Sequence, residues 1–260
     1  MRITLIGSGN VATHLGAALK NAGHYIVQVY SRNLQHAALL AYHIKAEAID
    51  NLQQIDPNTD IFIISVKDDA IESIVKHLAP LNKLILHTSG STDIKVLLQY
   101  RAQAGVFYPL QTFSRNKEVN FREVPLCIEG ANAGITQQIK ELAQTVSNNV
   151  YEVDSLQRRI LHLAAVFACN FPNYLYSVAQ NLLAQHNLDF DMLKPLITET
   201  ADKVQQQLPT DVQTGPAVRN DELTMNKHLE MLQDQPLLQQ LYQLLSQGII
   251  KMDKGSNADK

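Results

Sequence analysis

The feature that most constrains this chain is the run Gly7-Ser8-Gly9-Asn10-Val11-Ala12, which follows the apolar residues Ile3 to Ile6 and opens a segment of helical period. In that segment Val11, Leu15, Ala18, Leu19 and Ala22 recur at helical spacing, and Gly23 supplies a stop where a left-handed residue is wanted. A second β-rich run, Ile26 to Tyr30, follows, so the order is strand, glycine turn, helix, strand. Two glycines alone are a weak signal, because ordinary turns use them too; their position between strand and helix gives them weight. Gly7 permits the tight turn, Gly9 lets the backbone come close to a ligand, and Ala12 is small enough for helix and strand to pack. The free N–H groups of the first helical turn then face an anion, helped by the helix dipole. The expected ligand is a dinucleotide pyrophosphate held by Gly7, Ser8, Gly9, Asn10 and Val11.

Further along, Ile61 to Val66, Leu84 to His87, Gly105 to Phe107 and Leu126 to Glu129 read as strands, with weaker ones near Ala46 and Val150. Several are apolar on both faces, as buried parallel strands are. Helices are expected from Leu34 with Asn33 as N-cap, and from Asp68 through His77. After Tyr151 the β runs stop. Asp154 and Ser155 can cap a long helix through Ala168, and helical periods continue near Tyr174 to Gln185, Asp191 to Gln207 and Leu223 to Gln247. The predicted architecture is α/β: a Rossmann-type, mostly parallel sheet over 1–153, an all-helical substrate and dimerisation domain over 154–250, and a frayed polar tail over 251–260.

Charge and cysteine usage narrow the function classes. The net charge of −3 comes without a dense Lys/Arg run, which argues against nucleic acid as a partner. The two cysteines, Cys127 and Cys169, are far apart and carry neither metal-ligand spacing nor a disulfide framework. Both read as packed thiols, no metal site is expected, and a reducing cytoplasm fits. A first strand starting at residue 2 leaves no room for a signal peptide. The longest apolar stretch, Ile160 to Phe171, contains His162 and is too short to span a bilayer, so no membrane partner is expected.

The end of the second strand decides which dinucleotide. NAD-specific domains place a carboxylate there for the ribose hydroxyls; this chain has Tyr30-Ser31-Arg32-Asn33. Nothing there repels a 2′-phosphate, Arg32 can fork onto it, and Ser31 and Asn33 can donate to it. The expected cofactor is NADP, with a solvated Arg32 and a merely capping Asn33 as the plainer alternative.

GSGNVATHL, the Ser-Arg-Asn after strand two and a helical second half together resemble the group of pyrroline-5-carboxylate reductase, 6-phosphogluconate and β-hydroxyacid dehydrogenases. More specifically, LHTSGS (Leu86 to Ser91), YPLQTFS (Tyr108 to Ser114), the segment His162 to Asn170 and TGPAVRND (Thr214 to Asp221) are similar to a Rossmann-like family whose C-terminal half is the domain of unknown function DUF2520. This resemblance covers nearly the whole chain and implies an NADP-dependent oxidoreductase; it does not imply a substrate. One departure matters. The β-hydroxyacid dehydrogenases carry a Lys four residues before an Asn on the first long helix of the second domain, and counting back from Asn170 that position is Val166. A lysine-centred mechanism does not carry over.

In an open parallel sheet the ligand lies beyond the C-terminal strand ends, here Ser65 to Asp68, His87 to Ser91 and Tyr108 to Gln111. Ser65, Val66 and Lys67 are expected to flank the nicotinamide ribose, as the equivalent strand end does in related reductases, although Lys67 and Asp68 could simply start a helix. Ser89 and Gly90 are expected to meet substrate, the alternative being a loop that caps at Ser91 or Thr92; His87 is equally a core histidine. On the long helix His162, Val166, Asn170 and Asn173 share a stripe, so His162 could serve as general acid and Asn170 could orient substrate. Arg219, after the rigid turn Gly215-Pro216, suits a substrate carboxylate and could reach a neighbouring subunit's site, or the loop could only cap a helix through Asp221. Ser89, His162, Asn170 and Arg219 are the candidate active-site residues of an enzyme that moves a hydride to or from a small carbonyl, imine or hydroxy-acid substrate, as a homodimer. Two rival readings are an NADP(H)-binding regulator without turnover and a helical dimerisation protein with a vestigial Rossmann domain.

Overall fold

The computed structural model describes residues 1–258. It divides into two compact units, 1–174 and 175–260. The first is built on an eight-stranded sheet of order β3-β2-β1-β4-β5-β6-β7-β8, with β1 at Arg2–Ile6, β2 at Tyr25–Tyr30, β3 at Glu47–Ile49, β4 at Ile61–Ile64, β5 at Leu84–His87, β6 at Ala104–Pro109, β7 at Leu126–Gly130 and β8 at Val150–Glu152. Every pairing is parallel except β6 with β7. The helices between strands are α1 (Asn10–Asn21), α2 (Leu34–Ile44), α3 (Asp68–Leu78), the short α4 (Lys95–Leu98) and α5 (Ala133–Val146).

Alternation along the strands explains why the sheet is covered on both sides. Ile61 and Ile63 enter one apolar cluster with Leu15, Leu19, Leu40 and Leu142, while Phe62 and Ile64 enter a second with Ile71, Val75 and Leu78. Register then shapes the site end of the sheet. β5 ends where His87 pairs with Val106, but β6 runs on through Phe107, Tyr108 and Pro109, paired only with β7. Because β7 runs antiparallel, the connection 110–125 stays at that same end.

α6 (Ser155–Ala165) starts with a capping box: the Asp154 side chain accepts from the Gln157 N–H and the Gln157 side chain accepts from the Asp154 N–H. The sequence pattern assigned this helix to the second domain, yet it packs within the first unit. Arg158 is the reason. Fully buried, it donates to Glu129 at 2.5 Å, to the Thr92 carbonyl and to Ser155 Oγ at 3.1 Å, tying the helix to β7 and to the loop after β5. The single helix expected through Ala168 is interrupted by a π turn at Val166–Asn170, where the Phe171 N–H reaches the Val166 carbonyl. Pro172 has no N–H to continue the α ladder, which accounts for the wider turn.

α7 (Phe171–Ala184) leads into the second unit, which contains α8 (Lys194–Gln206), α9 (Glu222–Met231) and α10 (Pro236–Ala258). The period read as one helix from Leu223 to Gln247 is broken between α9 and α10, where Pro236 fits a first helical position. α10 runs to Ala258, so residues 251–258 are helical rather than a frayed tail, and residues 259 and 260 lie outside the described residues. Of residues 175–252 only Ala217 is buried. No helix among the described residues is long and apolar enough to cross a membrane.

Candidate functional site

The glycine turn is formed as its sequence requires. Gly7 has φ +122°, its N–H donates to the Tyr30 carbonyl at 2.8 Å, and a Cβ there would lie 2.2 Å from the Ser65 carbonyl oxygen. Gly9 differs: a Cβ built on it meets nothing within 4 Å, so its small size is required by no protein neighbour. Gly9 is the N-cap of α1, whose first turn has neither a capping side chain nor an acidic residue. These features fit a dinucleotide: uncapped N–H groups and a bare backbone face where the phosphates bind. Ala12 is buried, as close packing of helix and strand demands. Asn10 is engaged within the protein, its side-chain amide donating to the Phe113 carbonyl at 2.9 Å.

Beyond β2, Arg32 is exposed and makes no hydrogen bond or ion pair with a described residue. Asn33 caps α2, its side-chain oxygen accepting from the N–H groups of Gln35 at 2.9 Å and His36 at 3.3 Å, which leaves its NH₂ free to donate. Ser31 Oγ accepts weakly from the Asn33 N–H at 3.4 Å. At the end of β4, Ser65 Oγ accepts from Thr88 Oγ1 at 3.2 Å, Val66 is half-buried, and Lys67 is an exposed residue preceding α3.

A second cluster lies where β6 outruns β5. Tyr108 Oη is 3.1 Å from His162 Nδ1, and the two rings meet edge-on with centroids 6.1 Å apart. Gly90 lies beneath them: a Cβ there would come within 2.8 Å of His162 Nδ1 and 2.9 Å of Tyr108 Cζ. Burial pushes the Tyr108 phenol up to about 12. Ser89, expected to meet substrate, accepts through Oγ from the N–H groups of Ser91 at 3.1 Å and Thr92 at 2.9 Å, so its oxygen shapes the loop. Ser91 Oγ in turn donates to the Asp68 carboxylate.

His87 is buried, with Nδ1 accepting from the Ser89 N–H at 3.1 Å. Burial, followed by the Arg158 charge, pushes it down to about 3, and its Nε2 has no hydrogen-bond partner among the described residues. It is a neutral core histidine. Asn170 is exposed on the π turn, and its side chain makes no hydrogen bond with a described residue. Cys127 is buried, but Cys169 is exposed on that turn, contrary to the packed thiol expected. In the second unit, Arg219 is exposed in a loop where Gly215 has φ +113°, and Asp221 caps α9 by accepting from the Thr224 N–H at 3.0 Å. Among the described residues no group of His, Cys, Asp or Glu side chains could hold a metal ion.

Fold and glycine turn define a Rossmann-type dinucleotide-binding protein with a helical second part. Residues 2–89 match the family described as NADP oxidoreductase coenzyme F420-dependent, and residues 124–249 match the domain of unknown function DUF2520. A Bacteroides fragilis protein assigned to the NADP oxidoreductases is 45% identical over 96% of this chain and 98% of its own, with a TM-score of 0.92. The chain belongs to this family of NADP oxidoreductases, and NADP is its cofactor. At lower identity the fold is shared with a Thermotoga maritima protein (20% identical, 98% of this chain and 99% of that one, TM-score 0.74). It is also shared with an imine reductase from Myxococcus stipitatus solved with NADP+ (13% identical, 99% and 95% covered, TM-score 0.67). No curated protein matches the chain.

Proposed function

We propose that the protein is an NADPH-dependent reductase of a small imine or carbonyl compound, with His162 as the proton donor and Tyr108 as its positioning partner. The observation that supports this reading best is the Tyr108–His162 pair over the bare backbone of Gly90. NADPH, when bound, supplies the hydride. The chain's own task is to hold the substrate and to place a proton at the nitrogen or oxygen that gains charge as carbon is reduced. A phenol pushed up to about 12 keeps its own proton, so Tyr108 Oη can accept from the Nδ1–H of a His162 imidazolium; the Nε2 proton then passes to substrate and a neutral imidazole remains, its Nδ1–H still held by Tyr108. Gly90 lets His162 and Tyr108 pack directly against the backbone, and Ser89, whose hydroxyl donates to Ser91 Oγ at 3.4 Å, borders them. Asn170 orients substrate, and Arg219, in its own loop, offers a guanidinium suited to a carboxylate. Gly7, Ser8, Gly9 and Val11 hold the diphosphate, Ser31, Arg32 and Asn33 the 2′-phosphate, and Ser65 to Lys67 the nicotinamide ribose.

We also infer a homodimer. Leu156, Ile160, Leu163, Phe167, Phe171 and Tyr174 are exposed at helical spacing, and a second copy of this chain is the occupant that such a stripe fits.

The test is NADPH oxidation against a panel of cyclic imines and keto acids. Turnover is expected, falling by about 10²- to 10⁴-fold in His162→Ala, with NADPH affinity unchanged. Tyr108→Phe is expected to lose less and to alter the pH profile. Tight NADPH binding with no consumption across the panel would point instead to a regulator.

A further inference from the structure

The connection 110–125 is longer than a turn between neighbouring antiparallel strands needs, and it is fastened to the glycine turn and to α1. Three polar links do this: Asn10 Nδ2 to the Phe113 carbonyl at 2.9 Å, His14 Nε2 to the Ser114 carbonyl at 2.9 Å, and Arg115 Nη2 to the Ser8 carbonyl at 3.0 Å. Phe113 stacks on His14 with centroids 5.0 Å apart and on Phe121 at 6.1 Å, which fixes the strap between its ends. The effect is to hold a guanidinium against the middle residue of the glycine turn. That residue's neighbour Gly9 carries the bare backbone face that a diphosphate would meet.

The geometry points to Arg115 as a ligand of the cofactor diphosphate, with 110–117 as the strap that holds it there; this rests on the reading that the glycine turn receives NADP. Arg115 is exposed, pairs with no carboxylate among the described residues, and engages one of its five N–H donors, so its charge and most of its hydrogen-bonding capacity remain for an anion. α1 offers no acidic first-turn residue and no capping side chain that would compete. A guanidinium there adds a mobile, fully charged donor to the fixed partial charges of the helix N-terminus.

Arg115 and Arg32 are separable because they serve different phosphates. Fluorescence titrations with NADPH and with NADH, on wild type, Arg115→Ala, Arg115→Lys and Arg32→Ala, read this directly. Losing a hydrogen bond to a charged group corresponds to roughly ten- to a hundredfold in affinity. Arg115→Ala is expected to weaken NADPH and NADH by the same factor, since both carry the diphosphate; Arg32→Ala is expected to weaken NADPH alone. A purely structural role is distinguished by salt: wild type and Arg115→Lys should lose NADH affinity with rising ionic strength more steeply than Arg115→Ala. Unchanged affinities in Arg115→Ala, with Arg32→Ala still selective against NADPH, would overturn the assignment of Arg115 and leave the cofactor site standing. Weakened affinities with an unchanged salt slope would reduce Arg115 to a strut. Failure of wild type to bind either dinucleotide would overturn both readings.

Discussion

The two units of this chain use apolar residues in opposite ways. In the sheet unit, Leu15, Leu19, Ile63, Leu86, Phe107 and Leu142 are buried to 1% exposure or less, and central strands such as β4 feed both faces. In the helical unit several leucines point outward: Leu196, Leu208, Leu223, Leu237 and Leu244 are all exposed by 66% or more. Both units show clear helical periodicity in sequence, so periodicity alone does not tell where an apolar stripe goes. The sheet covers the apolar faces of α1, α2, α3 and α5 within one chain, whereas α6, although tied to it through Arg158, keeps an exposed stripe. The helical unit carries stripes whose partner is not supplied by the residues around them, the pattern expected of a surface that another copy covers.

The sharpest way to break this contrast is at Arg158, the residue that ties a helix into the sheet unit. Arg158→Ala leaves Glu129, whose side chain is only 15% exposed, without its cation and is expected to cost about 3 to 5 kcal/mol in denaturant unfolding, whereas Arg158→Met with Glu129→Gln should recover much of it. A loss below about 1 kcal/mol would show that α6 does not depend on this pair.

Next come matched truncations. Leu142→Ala in the sheet core is expected to cost about 2 to 5 kcal/mol at any protein concentration. Leu196→Ala should cost less than about 0.5 kcal/mol in dilute solution and progressively more as concentration drives association. Sedimentation and unfolding over the same concentration series check both; equal, concentration-independent losses would erase the distinction between the units.

The remaining effect is a pH slope. His87 is held at about 3 against an ordinary value of 6.5, so the unfolded chain takes up a proton between those values while the folded one does not. Stability therefore falls as pH drops through this window, by roughly 1.4 kcal/mol per pH unit from this group. Subtracting the curve of His87→Gln from that of wild type should isolate that slope, and parallel curves would contradict the burial of a neutral imidazole.

Much of the sheet unit was legible because its signals are local. The glycine turn, the Asn33 and Asp154 caps and the strands on both sides of α1 each depend on residues within one supersecondary unit. The proposed active-site cluster was only half legible for the converse reason. His162 stood out as a polar residue in an apolar helix, but its partnership with Tyr108 depends on β6 extending past β5, and strand register of that kind has no marker along the chain. Arg115 and Arg158 were invisible in the same way. Each reads as an ordinary surface cation, and only the folded chain brings one to Ser8 and the other to Glu129 and Thr92. Tyr108 had one available signal, its place in YPLQTFS just past a strand end; Arg158 had none.

The two glycines of the turn record different histories. At position 7 any side chain meets the Ser65 carbonyl at 2.2 Å, so that residue is held in place by the sheet itself, whether or not a nucleotide ever binds. Position 9 is constrained by no neighbouring atom of the protein, so selection for a bound cofactor is what would preserve it. Among descendants of such a chain, drift at position 9 beside an unchanged position 7 would mark a lineage that abandoned its nucleotide and kept its fold.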